Sequence, residues 1–345
     1  MNKNYSQKNT LLVCLVYFVL IAGEIFFLGS EGCSMANKGQ PNAADKASAQ
    51  TGAAQTNDIT SKGASDKNII ALKIIEPKNG TTTRHDTLWV RGTVSSKAHG
   101  DVGVAINGLP AHVYGDQFFM HHVILEPGNF QINVKATDSQ GNVQDAQVGI
   151  TMDYKEPPFL IEMDDYAGMA PFETTLRIQT DFTPEKVAFS DTGRGRITYL
   201  ERVDQLEQKI RVLNGGIYFI TATMHIQGVS IPETIGFIVY DQQELDRSLR
   251  RKWDAMRTAL MKGDINAAVK DISSRTQSSY LNVFSTLTPE KRASIAADLA
   301  DLQLIKMSSE TSIEYDIRTK RNDKTYSHIL LFEKDSDGLW KIARF

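Results

Sequence analysis

Cysteine is nearly absent. Only Cys14 and Cys33 occur among 345 residues, so no intramolecular disulfide can staple any domain beyond residue 33, and every fold there must stand on its own core. Excess positive charge is lacking too: 38 basic against 41 acidic residues give a formal net charge of -3, without the basic footprint of a nucleic-acid-binding chain. Nucleic acid is therefore not an expected partner. Tryptophan is limited to three residues, Trp89, Trp253 and Trp340. Long apolar runs are missing as well, except one.

That exception is Leu11 to Ser30, with Glu24 its one charge, close to the ~20 residues needed to cross a bilayer as a helix. Lys3 and Lys8 before it and Glu31 after it predict a cytoplasmic N-terminus and export of the rest. Residues 1–36 are thus read as a signal anchor or signal peptide, with the membrane as a partner through residues 11–30. Three outcomes stay open: a retained anchor, cleavage after Ser34-Met35-Ala36, or lipidation of Cys33. The expected location is the cell envelope, with the C-terminal region periplasmic or extracellular. Residues 37–67, rich in Ala, Gln, Ser, Thr and Asn, cannot bury a core and read as a disordered tether.

From residue 68 the pattern becomes period-two alternation broken by turns, the sign of a β-sandwich. Strands are expected near 70–76, 87–95, 102–107, 111–114, 117–125, 130–137 and 143–153. Phe130, Ile132, Val134 and Ala136 share one face, and Gln131, Asn133 and Lys135 the other. Asn107-Gly108 supplies the positive φ of a tight hairpin. The fragments IIEPKNGTTT, LWVRGTV, VGVAINGLPAHVYGDQFFM and LEPGNFQINVKATDSQGN resemble the bacterial immunoglobulin-like modules of the glucodextranase B-domain type. The resemblance implies an Ig-like β-sandwich over 68–155.

Glu156-Pro157-Pro158 opens a second β segment, 156–241. Its AGMAPFETTLRI and GGIYFITATMHIQG resemble strands of polycystic-kidney-disease-type Ig-like modules, with Phe189-Ser190-Asp191 in place of that family's central motif. After Asp241 the period turns helical. Leu245, Leu249, Trp253, Met256 and Leu260 line one helix face ended by Gly263. A second helix capped by Asp264 is expected to carry Ile265, Ala268, Val269 and Ile272, and a third, capped by Thr288 with Pro289, to carry Ile295, Leu299 and Leu302 inward. Strands near 304–309, 313–319, 327–334 and 339–345 follow. WDAMRTALMKGDINAAV and DSDGLWKIARF resemble the α+β cone of the nuclear-transport-factor and SnoaL-like superfamily, covering 242–345. The expected whole is a multidomain, mainly β chain: two Ig-like sandwiches, then an α+β domain, behind an N-terminal hydrophobic helix.

No residue set reads as catalytic. His85, His99, His112, His121 and His122 crowd the first sandwich, but consecutive His121 and His122 are expected on opposite strand faces, so no metal site is assigned. No cofactor is implied. Trp89 is expected on the outer face of the first sandwich, suited to stacking on a sugar or protein. Trp253, Tyr280, Tyr315, His328 and Trp340 are candidates to line a pocket in the cone. The functional expectation is a binding, adhesion or scaffold protein for polysaccharide or another envelope protein. Its alternative is a small-molecule sensor or enzyme using the C-terminal cone, with the sandwiches as a stalk.

Overall fold

Hydrophobic alternation becomes sheet pairs facing across shared cores. The computed structural model describes residues 69–345, apart from 99, 194, 203 and 322. The apolar run 11–30, the tether 37–67, Cys33 and His99 lie outside the described residues.

The first lobe contains β1 (Ile70–Glu76), β2 (Thr81–Thr83), β3 (Thr87–Ser96), β4 (Val102–Ile106), β5 (Leu109–Pro110), β6 (His112–Tyr114), β7 (Gln117–Ile124), β8 (Gly128–Asp138) and β9 (Val143–Met152). They form a four-stranded sheet, β1-β3-β7-β6, and a five-stranded sheet, β2-β9-β8-β4-β5. Val90, Ile106, Phe118, Ile132 and Val134 from both sheets make one core. Ile132, Val134 and Ala136 are buried and Gln131, Asn133 and Lys135 exposed, as period two requires. Asn107 (φ 50) and Gly108 (φ 82) turn β4 into β5.

The second lobe contains β10 (Leu160–Met163), β11 (Ala167–Met169), β12 (Phe172–Gln179), β13 (Lys186–Gly193), β14 (Ile197–Arg202), β15 (Glu207–Val212), β16 (Gly216–Ile226) and β17 (Val229–Tyr240). Its sheets are β10-β12-β15-β14 and β11-β17-β16-β13. Leu176, Ile210, Ile220 and Phe237 pack between them.

The period change at Asp241 marks α1 (Gln242–Lys262). Asp241 Oδ1 accepts from Glu244 N at 2.8 Å, and Gly263 closes the helix at φ 76. The expected second helix shrinks to one turn, α2 (Ile265–Ala268). The segment after it instead docks on the last strand: Ser273 N donates to Ile342 O, and Ile342 N to Asp271 O, both at 2.8 Å. Those sheet-type bonds take Ile272 out of the helical stripe. A helix absent from the sequence reading, α3 (Gln277–Thr286), carries Tyr280 and Phe284. In α4 (Pro289–Asp298), Thr288 caps as expected. Leu302, however, belongs to the next strand, because β18 begins at Asp301 to pair with Arg318.

Strands β18 (Asp301–Ser309), β19 (Ser312–Arg321), β20 (Lys324–Lys334) and β21 (Trp340–Arg344) form an antiparallel meander in chain order. The largest core runs across all three lobes, joining Phe119, Phe219, Ile238 and Tyr240 to Trp253, Tyr315 and Phe332. Backbone meets backbone at the contact of the first and third lobes: a Cβ on Gly103 would overlap the 337–339 backbone, and one on Gly338 would overlap Val104. The lobes are therefore wedged together, and the stalk-and-head picture of the alternative reading does not describe them.

Candidate functional site at the junction of the lobes

The outer face of β1-β3-β7-β6, which would meet water in an isolated sandwich, carries Trp89, Arg91, His112, Phe119 and His121. The other lobes cover it. Phe119 is fully buried, edge-on to Phe219 at 5.6 Å. Trp89, expected as an exposed platform, instead packs on Phe219 at 4.9 Å, with the Arg91 guanidinium 5.6 Å from its ring. The first sandwich's apolar outer residues thus serve the second lobe.

The pairing of β3 with β7 shifts register between Leu88↔Val123 and Val90↔Met120, so two residues, His121 and His122, stand opposite Trp89. A β-bulge of this kind breaks strict alternation. It corrects the expectation of opposite faces: the two imidazoles lie 4.8 Å apart, and Tyr166 of the second lobe stacks on His121 at 4.4 Å and meets His122 edge-on at 4.8 Å. Sequence could not reveal a bulge that only pairing defines. Among the described residues no group of His, Cys, Asp and Glu gathers as a metal site.

Behind this surface lies a buried polar cluster to which every lobe contributes. Tyr240 Oη lies 2.9 Å from His112 Nδ1, Lys334 Nζ 3.2 Å from the same nitrogen, and Nζ also donates to Ala111 O at 2.8 Å. The imidazole tautomer sets which of these groups donates to Nδ1, and the ring's second nitrogen is Nε2. That Nε2 faces Glu310 Oε2 at 3.8 Å, and His121 Nε2 lies 3.2 Å from the same oxygen. Glu310 stands in the β18–β19 turn. Burial, then the charges of Lys334 and His121, hold His112 well below the usual histidine range. Burial and then His122 hold His121 down to about 3. Burial lowers Lys334 to about 7 against the opposing pull of Glu310, and raises the Glu310 carboxyl. At neutral pH both buried imidazoles are uncharged.

Two clefts flank the cluster. One, of ≈ 410 Å³, opens between the first lobe and the β17–α1 corner and is lined by Tyr114, Asp116, Tyr240, Asp241, Glu244 and Trp340 among others. The other, of ≈ 380 Å³, opens between the first two lobes and is lined by His85, Trp89, His121, His122, Tyr166 and Glu233 with the threonines beside them.

The sequence candidates do not converge. Trp253 is 1% exposed, and its Nε1 donates to Leu299 O at 3.0 Å. Tyr315 is fully buried and donates to Asp246 Oδ1 at 2.9 Å, and Phe332 packs on it at 5.6 Å. These side chains fill the interior of the C-terminal lobe. Tyr280 stacks on Phe345 at 4.7 Å and accepts from its backbone N–H at 3.0 Å. His328 is exposed near the far end of β20. Trp340 faces the junction, edge-on to Tyr240 at 6.4 Å with Lys334 Nζ 5.4 Å from its ring. Of the six, Trp340 lines the first of these two clefts and Trp89 the second, and the other four line neither. Lys334, Tyr240, Tyr166 and Glu310 were missed, since nothing local in the sequence marks a residue that a distant lobe will bury.

Residues 71–154 match the family model of glucodextranase domain B. No curated protein matches the chain. Among solved structures, the fibronectin(III)-like modules of Clostridium thermocellum CbhA share 13% identity over 50% of this chain and 96% of theirs, with a TM-score of 0.20. Domains 5–6 of the S-layer protein SbsC share 10% over 50% of this chain and 97% of theirs, TM-score 0.25. SGBP-B of the Bacteroides ovatus mixed-linkage glucan utilization locus, solved with a mixed-linkage heptasaccharide, shares 13% over 49% of this chain and 47% of its own, TM-score 0.18.

Proposed function

We propose that this chain is an exported, membrane-anchored envelope protein that works by binding, as an adhesion or scaffold unit for a polysaccharide or another envelope protein. Its working body is two Ig-like sandwiches, 68–155 and 156–241, and a cone-like α+β domain, 242–345, held by residues 11–30 and spaced from the membrane by 37–67. One observation carries the reading: Trp253, Tyr315 and Phe332 occupy the space where a cone-type small-molecule site would need a chamber, while clefts of ≈ 410 and ≈ 380 Å³ open between lobes. The sensor or enzyme alternative would have to empty that interior first.

Crosslinking the full chain in intact envelopes and recovering its partners tests the reading. A polysaccharide or envelope protein enriched over an unrelated anchored control is expected. Recovery of neither, with a small metabolite retained instead, overturns it. Intact-mass measurement of the membrane-extracted protein separates a retained anchor from cleavage before Asn37 and from lipidated Cys33.

A further inference from the structure

The cleft between the first two lobes differs from its neighbour in chemistry. The cleft at Trp340 is rimmed by Asp116, Asp241 and Glu244, so charge dominates it. The cleft at Trp89 has no lysine or arginine among its lining residues and a single carboxylate, Glu233, with His85 Nε2 at 3.5 Å. Burial raises that carboxyl above its ordinary range. What remains is two aromatic rings, Trp89 and Tyr166, with the hydroxyls of Thr83, Thr87 and Thr234 and the imidazoles of His85 and His122 around them.

Both rings are held before any ligand arrives. Trp89 rests on Phe219 at 4.9 Å. Tyr166 is stacked on His121 at 4.4 Å, and His121 Nε2 is in turn 3.2 Å from Glu310 of the third lobe. The third lobe therefore braces one wall of a recess that the first two form. Rings fixed in advance offer contact area at little further cost in conformational entropy.

From this arrangement we infer that the cleft around Trp89, Tyr166, His122 and Glu233 binds an uncharged sugar residue of a polysaccharide. A pyranose presents an apolar C–H face that stacks on an aromatic ring and an equator of hydroxyls that both donate and accept. Threonine hydroxyls and imidazole nitrogens offer polar partners for both roles, and Glu233 accepts from a sugar hydroxyl. The nearby Arg91 guanidinium, 5.6 Å from the Trp89 ring, is already paired with Glu76 at 3.0 Å and so offers a uronic acid or a phosphate no unpaired charge, and an amino sugar would find only a carboxylate already facing His85. The volume of ≈ 380 Å³ lies within the range of small-ligand sites, ~300 Å³ upward. This inference rests on the binding role proposed above and names the ligand class for it.

The test is calorimetric titration of the full chain in detergent with neutral gluco-, xylo- and chito-oligosaccharides, and with oligogalacturonate and chitosan oligomers as anionic and cationic arms. Saturable binding of a neutral oligosaccharide is expected, weakened at least tenfold by Glu233→Gln and by His122→Ala. Asp145→Asn, on an exposed position of β9, should leave it unchanged. Because His122 is exposed and Glu233→Gln keeps its shape, unaltered melting separates lost binding from lost fold. Trp89→Phe, which keeps a ring, should bind more weakly than the parent but more tightly than Trp89→Ala. Equal affinity in the parent and both cleft variants, preference for a charged oligomer, or no heat with any neutral oligomer each overturns the inference. If envelope crosslinking still recovers a partner from Glu233→Gln and His122→Ala, the binding role stands and only this site falls. If the parent recovers none, the role itself falls.

Discussion

Lys334 Nζ donates to the backbone oxygen of Ala111 at 2.8 Å across 223 positions of sequence, tying the last sheet of the chain to the first lobe. The amine is buried with no carboxylate inside ion-pair distance among the described residues, and its nearest polar partners are a carbonyl and an imidazole nitrogen. Burying a lysine in this way favours its neutral form. The lobes therefore share a titratable contact as well as a hydrophobic one.

Acid should weaken this junction. Lys334 has a folded-state pKa of about 7 against an ordinary 10.5, so its contribution is fully present above about 10.5 and is lost as pH falls toward 7. His121, held to about 3 from 6.5, contributes stability that is present above 6.5 and lost as pH falls toward 3. Glu310, with a raised carboxyl, acts in the opposite sense just above the ordinary carboxylate range, where its ionisation costs stability. Melting temperature measured from pH 3 to 10 should rise between 7 and 10 and fall steeply below about 6. Lys334→Met should flatten the alkaline rise; an unchanged slope would contradict the burial of its amine.

The two glycines at the contact of the first and third lobes should be irreplaceable. Gly338 has φ 80 and abuts Val104, and Gly103 abuts the 337–339 backbone, so Gly338→Ala and Gly103→Ala must push main chains apart. A cost of about 1–3 kcal/mol each is expected from overpacking. Gly108, with a similar φ of 82 but open space around it, provides the comparison: Gly108→Ala should cost only about 1 kcal/mol of backbone strain. Chemical denaturation of the three variants measures the difference.

A core shared by all three lobes should melt once. A single calorimetric transition is expected, with van't Hoff and calorimetric enthalpies in agreement. Deleting residues 339–345 takes Trp340 from Tyr240 and Phe345 from Trp253, which it meets edge-on at 4.9 Å. The deletion should lower the melting of the sandwiches too. Two transitions, with the sandwich transition unmoved, would show that the junction carries no energy.

Trp253 and His328 should separate core from surface. Trp253→Ala should cost about 3–5 kcal/mol, as large-to-small changes in a packed core do, while His328→Ala should stay within about 0.5 kcal/mol. Neither should alter oligosaccharide affinity in folded protein. A binding change at His328 would relocate the site to the C-terminal sheet.

Local signals determined much of this protein. Alternation placed β8 and its buried face, Asn107-Gly108 its hairpin, and the 4-4-3-4 spacing from Leu245 to Leu260 the buried side of α1, between the Asp241 cap and Gly263. Each depends on a side chain and its near neighbours along one strand or helix, so a single sequence contains it. Tertiary structure decided the rest. The bulge that brings His121 beside His122 exists only through the pairing of β7 with β3. The fate of Trp89 hangs on Phe219, that of Tyr166 on His121 and Glu310, and that of Lys334 on Ala111 and His112. An outward strand position predicts exposure only until another lobe covers it. Which lobe does so depends on the fit of whole surfaces, such as Gly338 against Val104, and no period along the chain encodes that fit.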